Sequence, residues 1–374
     1  MISQCSPGYV LLVFLFSRMC FWGLALFQDV SFFDGMCVWD CHWYSQLATQ
    51  GYDTHTHSNM ANDAANWPFF PAFPFLMHLV QSVIPFSMKI IGVLLANVCM
   101  YFAILVSLRY LQKTREHPAK HFWVWLCCLG PFSFYFASGY SESLFWFLGC
   151  LAMLLWQHQN YIRAGCIAAL LTATRFFGIF WPIAWGIELF CLMQFHAFKH
   201  LSQNPKKLFA LCLGPLGLFC FIFYLYHHMG DGLAFVYAQK AWGRSNVPFW
   251  QDLQYSLQFW TDFGPLLNPE PATRYSFAFF NYIAIMGGFF SVWLASQKRF
   301  FEAAVALMLM VTVIKSGIIG VPRYMAGVPV FAFAFHDVAN RFLPPLLRIL
   351  LLAILFLFNF WLLSNWYDSA FFLV

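Results

Sequence analysis

The sequence is a succession of apolar runs, most of them close to the length of a membrane span and separated by short polar stretches. A bilayer core needs about 20 consecutive apolar residues in a helix. Candidate spans fall near 9–27, 89–110, 121–138, 142–158, 162–175, 176–195, 209–227, 276–296, 303–321, 324–338 and 345–365. They predict an all-α polytopic membrane protein with about eleven transmembrane helices, forming one integral-membrane domain over 1–374. Of the 374 residues, 61% are hydrophobic and 9% are charged. That charged share is about a third of the ~25% usual in soluble domains. Such a composition excludes a secreted disulfide scaffold, a nucleic-acid-binding module and a disordered chain. The run Val10–Phe27 has no Lys or Arg before it and no small-x-small cleavage site, so it reads as a signal anchor.

Two polar stretches are long, 28–68 and 228–275. Orientation follows from Lys and Arg in short loops. The basic loops are 109–120 (Arg109, Lys113, Arg115, Lys120), 199–207 (Lys199, Lys206, Lys207), 298–299 and 341–348 (Arg341, Arg348). They are expected on the cytoplasmic side. The 28–68 loop has Asp29, Asp34, Asp40, Asp53 and Asp63 without a Lys or Arg, and is expected outside. Both demands hold only if 69–87 does not span. Pro68, Pro71 and Pro74 make its first half a poor lipid-facing helix, so it is read as re-entrant or interfacial within an extracytoplasmic region 28–88. Five polar elements then converge on the outer face: 28–68, the turn at 138–142, the Arg175 turn, 228–275 and Pro322-Arg323-Tyr324.

That face holds the candidate chemistry. Helical spacing from Trp39 to Leu47 sets Asp40, Trp43, Tyr44 and Leu47 on one side of a short interfacial helix. Asp40 is either a general base among aromatic residues or an N-cap. Ser141 reads as an N-cap with Glu142 in the first turn; Tyr140 and Glu142 read alternatively as acceptor-side contacts. Trp39, Trp43, Tyr44 and Tyr324 complete the candidate substrate contacts. Arg175 and Arg323, at the outer ends of apolar helices, suit a phosphate bidentately or snorkel to lipid headgroups. Lys315 is a weaker phosphate candidate. Arg18 and Glu188, near mid-membrane, are a candidate structural pair.

Most of the twelve cysteines lie in apolar runs, where Cys behaves as a small hydrophobe. Cys37 and Cys41 are the exception, in a polar loop four residues apart, as a disulfide or a metal pair. His42, His55 and His57 share that loop; two histidines there are more often solvated than ligating. No metal and no other cofactor is expected.

The order Trp39-Asp40, Trp43-Tyr44, Gly51-Tyr52, then Asn66-Trp67-Pro68-Phe69-Phe70-Pro71-Ala72-Phe73-Pro74 resembles the PIG-V family of mannosyltransferases. Gly139-Tyr140-Ser141-Glu142-Ser143-Leu144, Ala238-Gln239-Lys240-Ala241-Trp242 and Pro322-Arg323-Tyr324 are similar to the family pattern, in order, over roughly 38–330. The resemblance implies a GT-C-type inverting transferase using polyprenyl-phosphate-mannose as donor substrate, with Asp40 at the position of the acidic base. The acceptor, a glycan, lipid or protein, is not implied. The chain is shorter than expected of the eukaryotic, ER-resident members. It is therefore read as a prokaryotic relative in a bacterial inner membrane. The competing classes are a lipid or small-solute transporter and a scaffold subunit of a glycosylation complex. An ordered 28–68 loop packed over the membrane face would favour the transferase over the transporter.

Overall fold

The computed structural model describes residues 5–56, 64–193, 202–242, 274–370 and 373. Each expected span meets a helix, and prolines and glycines decide where the helices stop. The first, α1 (Pro7–Phe27), has Pro7 in its first turn, and Ser6 caps it by accepting from the Tyr9 amide at 3.2 Å. A one-turn helix α2 (Phe32–Gly35), then α3 (Asp40–Gln50) and α4 (Ala72–Gln81), follow before the long α5 (Met88–Thr114). Helix α4 covers about 15 Å at 1.5 Å per residue, half of a ~30 Å hydrocarbon core.

The expected span 121–138 ends early, as α6 (Lys120–Leu129) followed by a 3₁₀ turn at Ser133–Phe136. Gly130 takes extended backbone because Pro131 follows it. Helices α7 (Glu142–Gln157), α8 (Tyr161–Thr172) and α9 (Phe180–Met193) come next, α9 entered through a 3₁₀ turn at Phe176–Ile179. Then come α10 (Pro205–Leu213), α11 (Leu216–Met229), α12 (Arg274–Ser296) and α13 (Phe300–Ser316). The expected span 324–338 is divided into α14 (Val321–Gly327) and α15 (Pro329–Phe342), because Val328 is held extended ahead of Pro329. Helix α16 (Pro345–Tyr367) is the last. Six helical stretches among the described residues are long and apolar enough to cross a bilayer.

The bundle is zipped by aromatic residues. Trp123 of α6 lies between Trp146 of α7 and Phe333 of α15, stacked at 5.9 and 4.9 Å between ring centroids. Trp156 of α7 stacks on Trp185 of α9 at 4.3 Å. Such offset pairs contribute about 0.5–1.5 kcal/mol beyond the area they bury. Helices α5 and α7 pack along each other most extensively. The expected Arg18–Glu188 pair does not form: Arg18 donates to Asn97 and Ser17, and among the described residues Glu188 feels the charge of Lys207. Arg18 and Asn97 sit on neighbouring helices α1 and α5, so two of the three guanidinium nitrogens are met locally, while Nη2 is buried without a hydrogen-bond partner.

At the end of the bundle away from Asp40, Arg115 leaves α5 and turns inward. It grips Glu302 of α13 through two bonds of 2.7 Å and Asp337 of α15 at 2.8 Å, while Tyr110 donates to Glu302 at 2.7 Å. Three helices are thus tied by one guanidinium. Removing Glu302 leaves a buried cation with half its partners, so Glu302→Ala is expected to destabilise the protein by about 3–5 kcal/mol. Thermal unfolding in detergent measures this; a variant as stable as wild type would show that the cluster carries no stability.

Candidate active site

The site begins with a short strap between α2 and α3. Cys37 and Cys41 form a disulfide, which settles their pairing against the metal alternative. The bridge closes over Val38, Trp39 and Asp40. Within it Trp39 adopts φ 51°, a region that a bulky L-residue rarely enters. Asp40 follows as the first residue of α3, so it is not the N-cap; Trp39 holds that position without a capping side chain. The Tyr140 hydroxyl accepts from the Asp40 amide at 3.3 Å and donates to the Val38 carbonyl at 3.0 Å. Gly139 packs directly on the disulfide: a β-carbon there would lie 2.7 Å from the Cys41 sulfur.

Four ionised side chains alternate from this point. Arg323 of α14 donates to Asp40 through one terminal nitrogen and to Glu142 through Nε. Glu142 in turn faces Arg175 at 2.5 Å. The Arg323 guanidinium lies over the Tyr140 ring at 4.2 Å, and that of Arg175 over Tyr324 at 5.5 Å. Exposure is graded: the side chain of Glu142 is 0% exposed, Arg323 6%, Arg175 12% and Asp40 15%. Glu142 is therefore a floor that holds both arginines, and it does not reach the surface. Asp40 and Arg175 face the open side.

A cavity of about 760 Å³ lies on that side. Asp40, Trp39, Trp43, Tyr44, Arg175, Arg323 and Tyr324 line it; Tyr140 and Glu142 lie beneath it, and Lys315 does not line it. Lys315 projects outward from α13, while Thr312 and Ser316 of the same helix face the cavity. His42, Gln46, Thr174 and Gln239 also line it; none of them was a candidate substrate contact in the sequence. The i, i+4 spacing of Thr312 and Ser316 in an apolar helix is the signal that marks their face.

The wall comes from Pro68, Phe69 and Phe70. Phe69 stacks on Trp43 at 5.9 Å and meets Tyr44 edge-on at 5.1 Å. The loop carrying these residues is clasped at its base: Asp53 accepts from the Asn66 amide at 2.9 Å, and the Asn66 side chain accepts from the Asp53 amide at 3.0 Å. Trp67 and Tyr52 add bonds of 2.7 Å to Asp53 and Phe69 carbonyls. All five polar elements meet here, the fourth through Phe235, Val236, Gln239 and Ala241; residues 243–273 of that stretch lie outside the described residues.

Ser141 occupies the start of α7, but its hydroxyl shares a 2.7 Å hydrogen bond with Tyr44 and does not cap the helix. Burial pushes the Tyr44 phenol up to about 12, and that of Tyr140 well above its usual value. Neither phenol can take a proton as phenolate near neutral pH. Asp34 is occupied by Lys89, whose hydrogen bond holds its carboxyl below the usual range. His55 bonds to Thr54 in an exposed turn, and His57 lies outside the described residues. No cluster of three metal-ligating side chains occurs among the described residues.

No family model matches the sequence, and no curated protein matches it. Solved structures do. The chain is similar to the crystal structure of the Archaeoglobus fulgidus oligosaccharyltransferase tethered with an acceptor peptide containing the NVT sequon. That likeness has a TM-score of 0.53 and 13% identity over 98% of this chain and 56% of the other. The archaeal oligosaccharyltransferase AglB from Archaeoglobus fulgidus, in complex with an inhibitory peptide and a dolichol-phosphate, matches with a TM-score of 0.51 and 12% identity. Its match covers 98% of this chain and 56% of AglB. The apo form of the enzyme gives a TM-score of 0.52 at 12% identity, covering 97% and 56%. The chain thus spans about half the length of these proteins. It is an all-α polytopic membrane protein with a GT-C-type fold.

Gly139→Ala is expected to drive a methyl group into the Cys41 sulfur and destabilise the protein by about 1–3 kcal/mol. Thermal unfolding with and without reductant checks the cause. The loss should shrink once the sulfur is free to rotate away; an equal loss under both conditions would exclude the disulfide contact.

Proposed function

We propose that this chain is an inverting glycosyltransferase that moves mannose from a polyprenyl-phosphate donor to an extracytoplasmic acceptor, with Asp40 as general base. The observation that carries the reading is the juxtaposition of one accessible carboxylate, Asp40, with two arginines in an aromatic-walled cavity. The GT-C-type fold supports it, and so does the dolichol-phosphate held in one of the similar structures. The mannose preference rests on the resemblance to PIG-V enzymes.

In the proposed step the acceptor hydroxyl oxygen attacks the anomeric carbon and Asp40 takes its proton. The bond from that carbon to the phosphate oxygen breaks, and the polyprenyl phosphate leaves with the electron pair. The departing phosphate needs no proton, so one carboxylate suffices where a glycoside hydrolase employs two. Arg175 faces the cavity with the part of its guanidinium not turned to Glu142, and is the first phosphate contact. Arg323, assigned to the phosphate on sequence grounds, is engaged by Asp40 and Glu142. A phosphate approaching Arg323 would share the cation that Asp40 holds and release the carboxylate toward the acceptor. The described part of 28–68 favours this reading over a transporter, since α3 and Pro68–Phe70 pack against the cavity; residues 57–63 lie outside the described residues.

The test uses purified protein in detergent with radiolabelled polyprenyl-phosphate-mannose and crude membrane-lipid or protein acceptors. Asp40→Asn is expected to lower transfer by about 10²–10⁴-fold in protein that still unfolds cooperatively, at a lower temperature because Arg323 loses a charged partner. Normal turnover by this variant would remove Asp40 as base. Transfer only from a donor with another sugar would correct the mannose assignment, and no transfer from any donor by folded wild type would move weight to the transporter. Arg175→Ala is expected to raise the donor KM about tenfold with kcat less affected, since Glu142 keeps Arg323. An unchanged donor KM would take Arg175 out of phosphate binding.

A further inference from the structure

A second recess, of about 700 Å³, lies between α1, α6 and α16 at the opposite end of the bundle from Asp40. The two ends are set by pairing along the helices. Tyr9 near the start of α1 meets Trp125 and His121 of α6, whereas Phe21 near its end receives the hydroxyl of Tyr367. Helix α1 is about 31 Å long, so the rim of the recess lies roughly a bilayer core from the Asp40 end, and the recess itself reaches inward to Phe16 near the middle of α1.

The walls of the recess are apolar, with Phe16, Trp125, Leu352 and Phe356 among them, and its rim carries Lys120 and Arg348. From Arg348 to Phe356 the helix rises about 12 Å, and from Lys120 to Leu129 about 13 Å. That depth is one leaflet of a ~30 Å core. The rim cations differ from the two arginines at this end that have acidic partners. Arg115 and Arg299 are drawn to Glu302 and Asp337. Among the described residues neither Lys120 nor Arg348 has a carboxylate partner; Arg348 gives one nitrogen to the Asn340 side chain and leaves the remainder of its fork to the recess. Both helices also begin here, so the positive ends of their dipoles point the same way.

We propose that this groove binds an anionic phospholipid, with an acyl chain along α16 and the headgroup phosphate between Lys120 and Arg348. The apolar floor offers no polar group to orient a water-soluble ligand, and the two unbalanced cations select against a zwitterionic headgroup. The depth of one leaflet fits an acyl chain entering from its own side of the membrane.

Native mass spectrometry of the full chain in detergent, titrated with phosphatidylglycerol or phosphatidylcholine, tests the site. Wild type is expected to retain phosphatidylglycerol in preference. The double variant Lys120→Gln with Arg348→Gln is expected to lose that retention by roughly thirtyfold, the combined effect of two cations near an anionic headgroup. Lys206→Gln with Lys298→Gln removes two exposed charges from the other basic loops and should leave it unchanged. Leu352→Trp fills the groove and should lower retention with both rim cations intact. Equal retention of the two lipids by wild type, an equal loss in both double variants, or full retention by Leu352→Trp would each overturn the proposal.

Discussion

Arg323 joins two carboxylates that lie 102 positions apart in the chain, and the geometry of the candidate site depends on that junction. Without it Asp40 would be an exposed first residue of a short helix, and Glu142 a buried charge with only Arg175 beside it. With it, α3, α7, α14 and the Arg175 turn converge on one point. The four charges sum to zero, two acids against two arginines. This removes most of the cost of keeping them out of water, provided that each retains its partner. The most buried member of the group cannot touch a substrate, and the outer members can. Burial thereby separates a group that organises from groups able to react.

The apolar runs were readable because hydrocarbon thickness imposes their length. Their interruptions were harder to read. Pro329 lies inside a stretch that is apolar throughout, and apolarity alone passes over the residue that divides α14 from α15. That division matters here, because it leaves Arg323 on a seven-residue helix free of the long α15. Gly130-Pro131 shortened α6 in the same way.

At the site, Asp40, Arg175 and Arg323 were legible as ionisable residues where ionisable residues are expensive. Their partnership was not, since nothing in sequence spacing connects position 40 with position 323. Residue type therefore assigned both arginines to a phosphate, whereas the fold engages Arg323 with carboxylates and leaves Arg175 more open. The same limit applies to Lys315, a cation at the right depth on the wrong face of its helix. The Cys37–Cys41 bridge shows the converse: four-residue spacing admitted it, and only the positions of the sulfurs decide it.

The order in which the chain is made gives the charge chain a further property. Asp40 and Arg323 are 283 positions apart, and Glu142 and Arg323 are 181 apart. At about 5–20 residues per second of synthesis, the carboxylates precede Arg323 by on the order of tens of seconds. During that interval α1, α5 and α7 are already available to pack, but the acids must stay with water or headgroups. The centre of the bundle therefore closes late, with α15 and α16 still to follow, and Arg323 acts as the keystone of a vault whose other stones were cut long before it.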